Sequence, residues 1–463
     1  MSKLTKKYLG DKAFYKMVLG VALPIIVQNA ISNFVNLLDN IMVGQVGTEQ
    51  MSGVAIVNQL MFVFNLALFG AVSGPGIFTA QYVGQKNHEG VRHTVRIKLG
   101  MVLILTFIGV LVLWNAKDLL IGLFLTDNGE NLDITATLDY AKDYLGVMLV
   151  GLLPFAITNA YADTLRESGE TKVPMFAGLT AVMVNLLFNW ILIFGHLGAP
   201  KLGVVGAAVA TVMSRFVELA IIVIWTHTHP ARVPFAQGLY KSFKIPGNLL
   251  GKVLAKGTPL FANEFLWSLG MSSLTQCYST RGLEVIAAFN ISNTITNLFN
   301  VVMISMGNVV AIIIGQILGS GDTQEVVDTD RKLITFSVLA STALGIVLIV
   351  AAPLFPKFYN TTDDIRALAV ELMRLGALFM PFVAYLNSAY FTIRSGGKTF
   401  ITFLFDSAFL WCVSFPVAFF ISRYTDMKIL PMYFIVMSLD LIKVVIGAIL
   451  IKKRIWIQNL VEN

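Results

Sequence analysis

The chain has 463 residues, of which 56% are hydrophobic and only 13% are charged, and its formal net charge is +7. The surface of a soluble protein of this length needs far more polar and charged residues than this sequence supplies. The composition therefore excludes a soluble globular protein and predicts one that spans a lipid bilayer many times.

Apolar segments of about 20 residues recur along the whole chain, and a helix of that length crosses about 30 Å of hydrocarbon. The alternating pattern of a membrane β-barrel does not occur, so helices are the elements that can satisfy the backbone in lipid. The twelve predicted spans lie near residues 18–44, 54–80, 96–115, 138–160, 174–196, 203–226, 254–279, 286–315, 333–353, 366–392, 400–422 and 431–451. The apolar segment behind the basic N-terminus is too long for a signal peptide, so we expect the first span to be retained.

Lysine and arginine gather in alternate loops between the predicted spans. Their clusters lie at residues 3–16, 86–98, 166–172, 232–256, 331–332, 394–398 and 452–454. The other loops carry fewer cations, and the one with Asp127, Glu130 and Asp133 is acidic. By the positive-inside rule, this pattern places both termini in the cytoplasm and explains the net charge without nucleic-acid binding. We expect a multi-pass protein of the cytoplasmic (inner) membrane.

The second half of the chain repeats the first at an offset of 235 residues, which shortens to 228 in the later spans. The matching pairs include Pro24 and Pro259, Asn58 and Asn293, Gln81 and Gln316, Gly84 and Gly319, Arg96 and Arg331, and Arg166 and Arg394. The predicted domains are an N-lobe at 1–226, a cytoplasmic linker at 227–253 and a C-lobe at 254–463. Parallel repeats of this kind are typical of carriers whose two bundles rock about a central cavity. The alternative is that duplication only built a large scaffold.

Pro24 and Pro259 lie near the start of the first span of each half. Each removes a backbone hydrogen bond and loosens its helix, so both are candidate hinges. A static kink that improves helix packing is an equally good interpretation of the sequence alone.

The stretch ISNFVNLLDNIMVGQVG places Asp39 inside the first span, among apolar residues. A carboxylate at the centre of a membrane helix costs about 2.5–3.5 kcal/mol on insertion scales, so it needs a function or a partner. Such a group can bind a proton or a metal ion and release it again, which is what ion coupling requires. The alternative is a structural acid that is hydrogen-bonded for packing.

The second half lacks this acid, because the position that matches Asp39 is Leu274. It carries Glu264 instead, where the first half has Asn29, and Asp406 farther along the chain. Asp406 has no oppositely charged residue one helical turn away, so we expect it to have no charged partner. Glu264 and Asp406 are therefore the candidate acids of the second lobe.

Other charged residues inside the spans have a partner three residues away. These pairs are Arg215 with Glu218, Glu371 with Arg374, and Asp440 with Lys443. Side chains at this spacing are neighbours on a helix surface and can neutralise each other. We therefore predict a structural role for the three pairs.

Neutral polar side chains accompany Asp39 in the first half. Asn29, Ser32, Asn33 and Asn36 form a stripe that leads toward it, Asn185 and Asn189 share one helix face, and Thr211 lies in the sixth span. Carboxylate, amide and hydroxyl oxygens are the ligands that hard cations such as Na⁺ prefer. The further candidates for a cavity or substrate surface are Asn58, Gln59, Asn293, Trp267, Phe64, Phe289 and Met183, together with Asn36. Hydrogen bonding between helices, apolar packing and contact with lipid are the alternatives for these residues.

No catalytic or nucleotide-binding set is apparent in the sequence. The segment RSGGKTF has Thr392 where a phosphate-binding loop requires its first glycine. We therefore predict a protein that is not an enzyme, with no cofactor and no metal site other than Na⁺ at Asp39. An ion gradient is then the expected source of energy.

Five segments of the chain resemble the bacterial MATE family, the multidrug and toxic compound extrusion transporters. They read DNIMVGQVGTEQMSGVAIVNQ, AQYVGQKN, GQILGSGD, LRESGETKVPM and NLLFNWILIFGHLGAPKLGVVGAAVAT. The resemblance implies an all-α membrane fold of twelve helices, in two pseudo-symmetric six-helix lobes around a V-shaped central cavity. It also implies export of cationic amphiphilic compounds in exchange for inward protons or sodium ions.

The resemblance also carries over site residues by position. The matching positions are Asp39 in the first helix, Asn185 and Asn189 in the fifth, Thr211 in the sixth and Glu264 in the seventh. Some relatives have an additional acid in the tenth helix, where this chain has Ala384.

The sequence therefore favours a cation-coupled (H⁺ or Na⁺) antiporter that exports cationic amphiphilic drugs or toxins by alternating access, with Asp39 as the coupling-ion site. Carrying one monovalent cation out of a cell costs about 2.3 kcal/mol per 100 mV, which one entering ion offsets. We expect a monomer in the lipid bilayer whose partners are small cationic amphiphiles. The alternative is a flippase of the same superfamily that moves a lipid-linked precursor or another lipid.

Overall fold

The computed structural model describes residues 7–124, 134–359 and 361–462, apart from the side chains of residues 36, 37, 40, 48 and 283. The acidic loop residues Asp127, Glu130 and Asp133 and the side chain of Asn36 lie outside this described part.

Long α-helices make up most of the described chain, and no strand occurs in residues 7–124, 134–359 or 361–462. The twelve helices of 23 residues or more are α1 (Lys12–Gly44), α2 (Thr48–Gly84), α3 (His88–Asn115), α4 (Ile134–Glu167), α5 (Lys172–Phe194), α6 (Gly203–Thr228), α7 (Gly247–Ser279), α8 (Leu283–Ser320), α9 (Thr323–Ala351), α10 (Asp363–Ser395), α11 (Thr399–Tyr424) and α12 (Ile429–Lys452). A short helix, Lys117–Gly122, follows α3.

Eleven of these helices are long and apolar enough to cross a membrane, judged by length and composition over the described residues. The remaining one, α7, has 33 residues but carries Lys252, Lys256 and Glu264 among its apolar residues. Charged residues make a helix less apolar without shortening it, and such residues in spans generally face protein or a polar cavity. The predicted all-α fold of twelve helices is confirmed.

The packing of the helices divides the chain into two compact units. Unit N contains Val27–Thr79 and Asn87–Leu254, and unit C contains Met1–Ile26, Ala80–Lys86 and Ala255–Asn463, as far as these are described. Helix α1 therefore changes unit after Ile26, and the last turn of α2 belongs to unit C. The lobes at 1–226 and 254–463 and the linker at 227–253 stay a prediction about the sequence repeat.

Each unit has an apolar core of its own. In unit N the fully buried core residues include Val57, Val102, Ala156, Ile193 and Ala208. In unit C they include Ala288, Met373 and Met432, and Leu274 lies in the same core. The position that matches Asp39 in the repeat is thus an ordinary core position of unit C.

A duplicated Q-x-x-G motif brings α2 and α8 together in unit C. Gln81 and Gly84 lie at the end of α2, and their repeats Gln316 and Gly319 lie at the end of α8. A Cβ atom at Gly84 would collide with the carbonyl oxygen of Gln316, and one at Gly319 with that of Gln81. The contact is reciprocal, and only glycine lets the two backbones come this close.

Helix α11 is interrupted in its middle by two π-helical turns, Leu404–Ala408 and Leu410–Ser414. Such turns are rare and frequently mark functional sites, because the extra residue per turn re-aims the side chains around it. Asp406 lies in the first of these turns.

Candidate cation and substrate site

Asp39 of α1 meets polar side chains of α5 and α6 in unit N. Its carboxylate oxygen Oδ1 accepts a hydrogen bond of 2.7 Å from Nδ2 of Asn189. The same amide of Asn189 donates to Oδ1 of Asn185 at 3.2 Å, and Asn185 donates to the hydroxyl of Thr211 at 3.1 Å. The structure thus brings together the four residues that the sequence predicted as a cation-coupling set.

The amide of Asn185 makes better hydrogen bonds in the opposite orientation. Turned over, its nitrogen lies 3.0 Å from each carboxylate oxygen of Asp39, and its oxygen accepts from the hydroxyl of Thr211 at 3.1 Å. The oxygen and nitrogen of an amide are told apart by their partners, and this orientation gives both carboxylate oxygens a donor. In either orientation, Asp39 is held by neutral amides.

Close packing of α5 on α6 sets this geometry. Asn185 and Asn189 lie one turn apart on α5 and are 5% and 1% exposed. A Cβ atom at Gly206 of α6 would lie 2.6 Å from the carbonyl oxygen of Leu192 on α5, so glycine permits the close approach. Five residues farther along α6, the same approach places Thr211 within hydrogen-bond distance of Asn185.

One oxygen of this cluster is buried without a partner. Oδ1 of Asn189 makes no hydrogen bond with any described residue. A buried carbonyl oxygen in this state has lost its hydration, which makes it a ready ligand for a hard cation. Together with the carboxylate oxygens of Asp39, it is a candidate ligand for Na⁺. A proton needs only the carboxylate.

The cluster opens on a polar cavity of about 330 Å³ in unit N, which is lined by residues of α1, α4, α5 and α6. The predicted polar stripe of α1 contributes Asn29 and Ser32 to the wall, and α4 contributes Asn159. This volume is at the small end of the range for small-molecule sites. Asp39 is therefore reachable from a space that can hold a small polar or charged group.

Two arginines line the same cavity, and an acid holds each of them. Arg215 of α6 lies 3.2 Å from Glu218, which confirms the pair that their spacing predicted. Arg166 of α4 lies 2.7 Å from Asp163 and also donates a hydrogen bond to Gln28. The cavity wall therefore carries both signs of charge in addition to Asp39.

The other residues predicted for a cavity or substrate surface do not line this space. Phe64 and Phe289 are buried in the cores of unit N and unit C, respectively. The exposed ones are Met183, Trp267, Asn58, Gln59 and Asn293. Large apolar side chains pack wherever the fold leaves room, so residue type alone does not separate a cavity wall from a core.

The second-lobe candidates Glu264 and Asp406 belong to one polar network of unit C. Oδ1 of Asp406 lies 3.4 Å from Nζ of Lys443 on α12, and its Oδ2 accepts a hydrogen bond of 3.2 Å from Asn263 of α7. The expectation that Asp406 has no charged partner is therefore wrong, because the partner lies 37 residues away on another helix. The hydroxyl of Tyr390 connects Asn263 to Glu264 at 3.2 and 3.4 Å.

Several buried polar groups have no pattern in the sequence that marks them. Asp330 of α9 is 2% exposed and accepts a 2.5 Å hydrogen bond from the hydroxyl of Thr392. Lys98 of α3 is fully buried and lies 2.5 Å from Glu167. Asp330 and Lys98 both lie in clusters of charged residues, which the sequence predicts to be loops.

The chain is similar in sequence to known membrane proteins over most of its length. The model of the MatE family matches residues 24–191 and again residues 259–420, once in each half. The probable multidrug resistance protein NorM of Thermotoga maritima is 26% identical over 418 residues, which cover 90% of this chain and 87% of that protein. The probable multidrug resistance protein YoeA of Bacillus subtilis is 25% identical over 415 residues, which cover 89% and 87%.

Solved structures show the same fold. A multidrug resistance MATE family transporter of the MOP superfamily, in an outward-facing conformation, superposes with a TM-score of 0.84 at 19% identity over 98% of both chains. A MATE protein in the bent conformation gives a TM-score of 0.85 at the same identity and coverage. A MOP superfamily transporter from Pyrococcus furiosus, whose binding pocket is described as having reverse polarity, gives 0.84.

Proposed function

The chain belongs to the MatE family, and we propose that it is a cation-coupled antiporter that exports cationic amphiphilic drugs or toxins by alternating access. In this proposal Asp39 is the site of the coupling ion, H⁺ or Na⁺. The observation that supports it most strongly is that the Asp39 carboxylate faces a polar cavity and is held by neutral amides. Among the described residues Asp39 makes no salt bridge, and the charge of Arg215, which also acts on it, is paired with Glu218, so the carboxylate is able to gain and lose a mobile cation.

In this proposal the coupling ion and the drug exchange because each can balance the negative charge of Asp39. An ion that enters from outside neutralises the carboxylate, and its release inside restores the negative charge. An organic cation is attracted to the ionised carboxylate and not to the neutralised one, so ion and drug occupy the cavity in turn. One-for-one exchange of monovalent cations moves no net charge, so the opposing work of about 2.3 kcal/mol per 100 mV cancels.

The names of the relatives support drugs as the substrate class. Two of them, from Thermotoga maritima and Bacillus subtilis, are named probable multidrug resistance proteins. The cavity offers a carboxylate and several amides to a cationic head group. The substrates that we propose are therefore small organic cations with an apolar part.

Helix α1 is the element that we propose to move. Pro24 lies inside this otherwise continuous helix, where it removes one backbone hydrogen bond. Two residues later α1 passes from unit C to unit N, so a bend at Pro24 would shift Asp39 with respect to the start of its own helix. Pro259 lies inside α7 in the same way and is the second candidate hinge.

A lipid flippase is the second candidate, because Arg166 and Arg215 line the cavity and phosphate groups are bound by cations. Each arginine is already paired with an acid of unit N, at 2.7 and 3.2 Å. Because the charges of both arginines are balanced by these acids, neither is available to bind a pyrophosphate, and the antiporter is better supported. The flippase predicts that Arg166→Gln together with Arg215→Gln abolishes transport, whereas the antiporter predicts that ethidium transport survives.

The test is ethidium transport in everted membrane vesicles, whose lumen corresponds to the outside of the cell. Gradients of protons and of sodium, each with the higher concentration in the lumen, are imposed separately. We expect one of them to drive ethidium inward and Asp39→Asn to abolish this uptake, because an amide carries no charge for an ion to neutralise.

Asp118→Asn is the matched control, because Asp118 is a carboxylate outside the cavity with a side chain that is 66% exposed. We expect its ethidium uptake to equal that of the unaltered protein. Normal uptake by Asp39→Asn would contradict the role of Asp39. Accumulation that responds to neither gradient would reject antiport.

A further inference from the structure

The ammonium group of Lys443 lies between two carboxylates of unit C. Its Nζ is 3.4 Å from Oδ1 of Asp406 on α11 and 3.6 Å from Oδ1 of Asp440 on its own helix, α12. The side chain of Lys443 is only 12% exposed, so water screens these charges weakly. Lys443 is therefore a bridging cation and not a surface lysine with one incidental partner.

The surroundings of this group are those of a binding site for a cation. The rings of Phe405 and Phe409 both lie 5.8 Å from Nζ, within reach of cation–π attraction. The first π-helical turn of α11 contains Asp406 and Phe405 and is followed by Phe409. This local distortion of α11 aims a carboxylate and two rings at one point.

Hydrogen bonds extend the cluster from α12 to α7. Oδ2 of Asp406 accepts from Asn263, whose amide also donates to the hydroxyl of Tyr390. That hydroxyl donates to Glu264 at 3.4 Å, and the charge of Arg394 on α10 also acts on Glu264. The charged groups around Lys443 are thus Asp406 and Asp440 in contact, with Glu264 and Arg394 one step farther away.

We propose that Lys443 is a resident cation, which occupies the place between Asp406 and Asp440 that a free monovalent cation would otherwise take. If the chain is a cation-coupled antiporter, Lys443 keeps the coupling ion away from the acids of unit C and so restricts ion exchange to Asp39. Only this consequence for transport rests on the proposed function. The occupancy of the site by a tethered ammonium is a separate claim, and it is tested separately.

The experiment measures thermal unfolding of the purified full chain by circular dichroism, in sodium chloride and in choline chloride at equal ionic strength. Every variant carries Asp39→Asn, so that Na⁺ binding at Asp39 cannot contribute and the result does not depend on the proposed function. With Lys443→Met added, we expect Na⁺ to raise the melting temperature by about 3–8 °C, because Na⁺ now enters the vacated site. Asp39→Asn alone should show no such shift.

Lys142→Met is the matched control, because Lys142 also pairs with an aspartate, Asp118, but at the surface of unit N. With Asp39→Asn, it should show the same melting temperature in both salts. Equal melting temperatures of the Lys443→Met protein in sodium and choline would overturn the proposal, since loss of packing alone gives no preference between the two ions.

A second variant covers the case in which Lys443→Met alone does not fold. Adding Asp406→Asn removes the charge that the ammonium group balances, so we expect this protein to fold and to lose the sodium effect. If the protein with both Lys443→Met and Asp406→Asn melts no higher than the protein with Lys443→Met, Lys443 acts through packing and the proposal fails.

Discussion

The two units of the chain hold a carboxylate within a long helix in different ways. In unit N, Asp39 is held by the neutral amides of Asn189 and Asn185. In unit C, Asp406 lies beside the ammonium group of Lys443. Both arrangements make a buried carboxylate tolerable, and in our proposal only the first leaves its charge for a mobile ion to neutralise.

This difference shows that a polar position of one copy can be an apolar core position in the other. Leu274, which matches Asp39 in the repeat, lies in the apolar core of unit C. The glycines of the two Q-x-x-G motifs, by contrast, keep the same contact in both copies. Backbone contacts limit which residues fit, whereas a polar side chain can be replaced wherever an apolar one fills its volume.

The largest change in stability is expected at a second point where the copies differ. Unit N buries the ion pair of Lys98 and Glu167, and the matching positions of the second half are Leu333 and Ser395. Lys98→Met leaves the charge of Glu167 buried and unbalanced. We therefore expect the free energy of unfolding to fall by about 3–5 kcal/mol, measured by thermal unfolding of the purified protein.

The control for this prediction copies the second half into the first. Lys98→Leu together with Glu167→Ser removes both charges at once, and a buried pair is often replaced by apolar residues at little net cost. We expect this double variant to be within about 1 kcal/mol of the unaltered protein. A double variant as unstable as Lys98→Met would show that packing, and not charge, makes the pair necessary.

A smaller effect is expected when each acid loses its amide partner. Asn189→Ala removes a hydrogen bond to Asp39, and hydrogen bonds to charged groups contribute about 1.5–3 kcal/mol. We expect gradient-driven ethidium uptake to fall roughly ten- to a hundredfold, because the ionised carboxylate that attracts the drug loses this stabilisation.

Asn263→Ala is the equivalent change in unit C, where it removes a donor to Asp406. We expect it to lower the melting temperature of the protein without changing the dependence of uptake on the gradient. Equal losses of uptake in the two variants would show that both units take part in coupling.

The smallest effect is expected for the exposed pair of Asp118 and Lys142. The hydrogen bond from Lys142 lowers the pKa of the Asp118 carboxyl below its ordinary value. Any stability from the pair is present above the usual pKa and is lost as the pH falls through the lowered one. Because solvent screens exposed charges, we expect Asp118→Asn to melt at the same temperature as the unaltered protein at pH 7.

Hydropathy was sufficient to predict the twelve helices, because lipid demands long apolar segments whatever their tertiary contacts. It placed their ends less well. The ninth span was predicted at 333–353, whereas α9 is Thr323–Ala351. Asp330 therefore fell outside the predicted span, although it is buried against Thr392. Charged residues near the end of a helix lower the hydropathy of that segment even when they are buried, so the predicted span is too short at that end.

The candidate site was predictable only in part. The spacing of Asn185 and Asn189 placed them on one face of a helix, but the resemblance to a family was needed to set that face opposite Asp39. No local pattern connects Asp406 with Lys443, because the two lie on different helices, 37 residues apart. The burial of Phe64 and Phe289 likewise depends on which neighbours the fold supplies.

The reciprocal contact between the ends of α2 and α8 is isologous in form, since the glycine of each copy receives the glutamine carbonyl of the other. Two separate six-helix chains would make the same contact twice across a two-fold axis. One polypeptide therefore contains the pairing surface of a homodimer. A side chain at either glycine would meet the backbone of the other copy, so each half of the chain limits which residue the other half can carry at this contact.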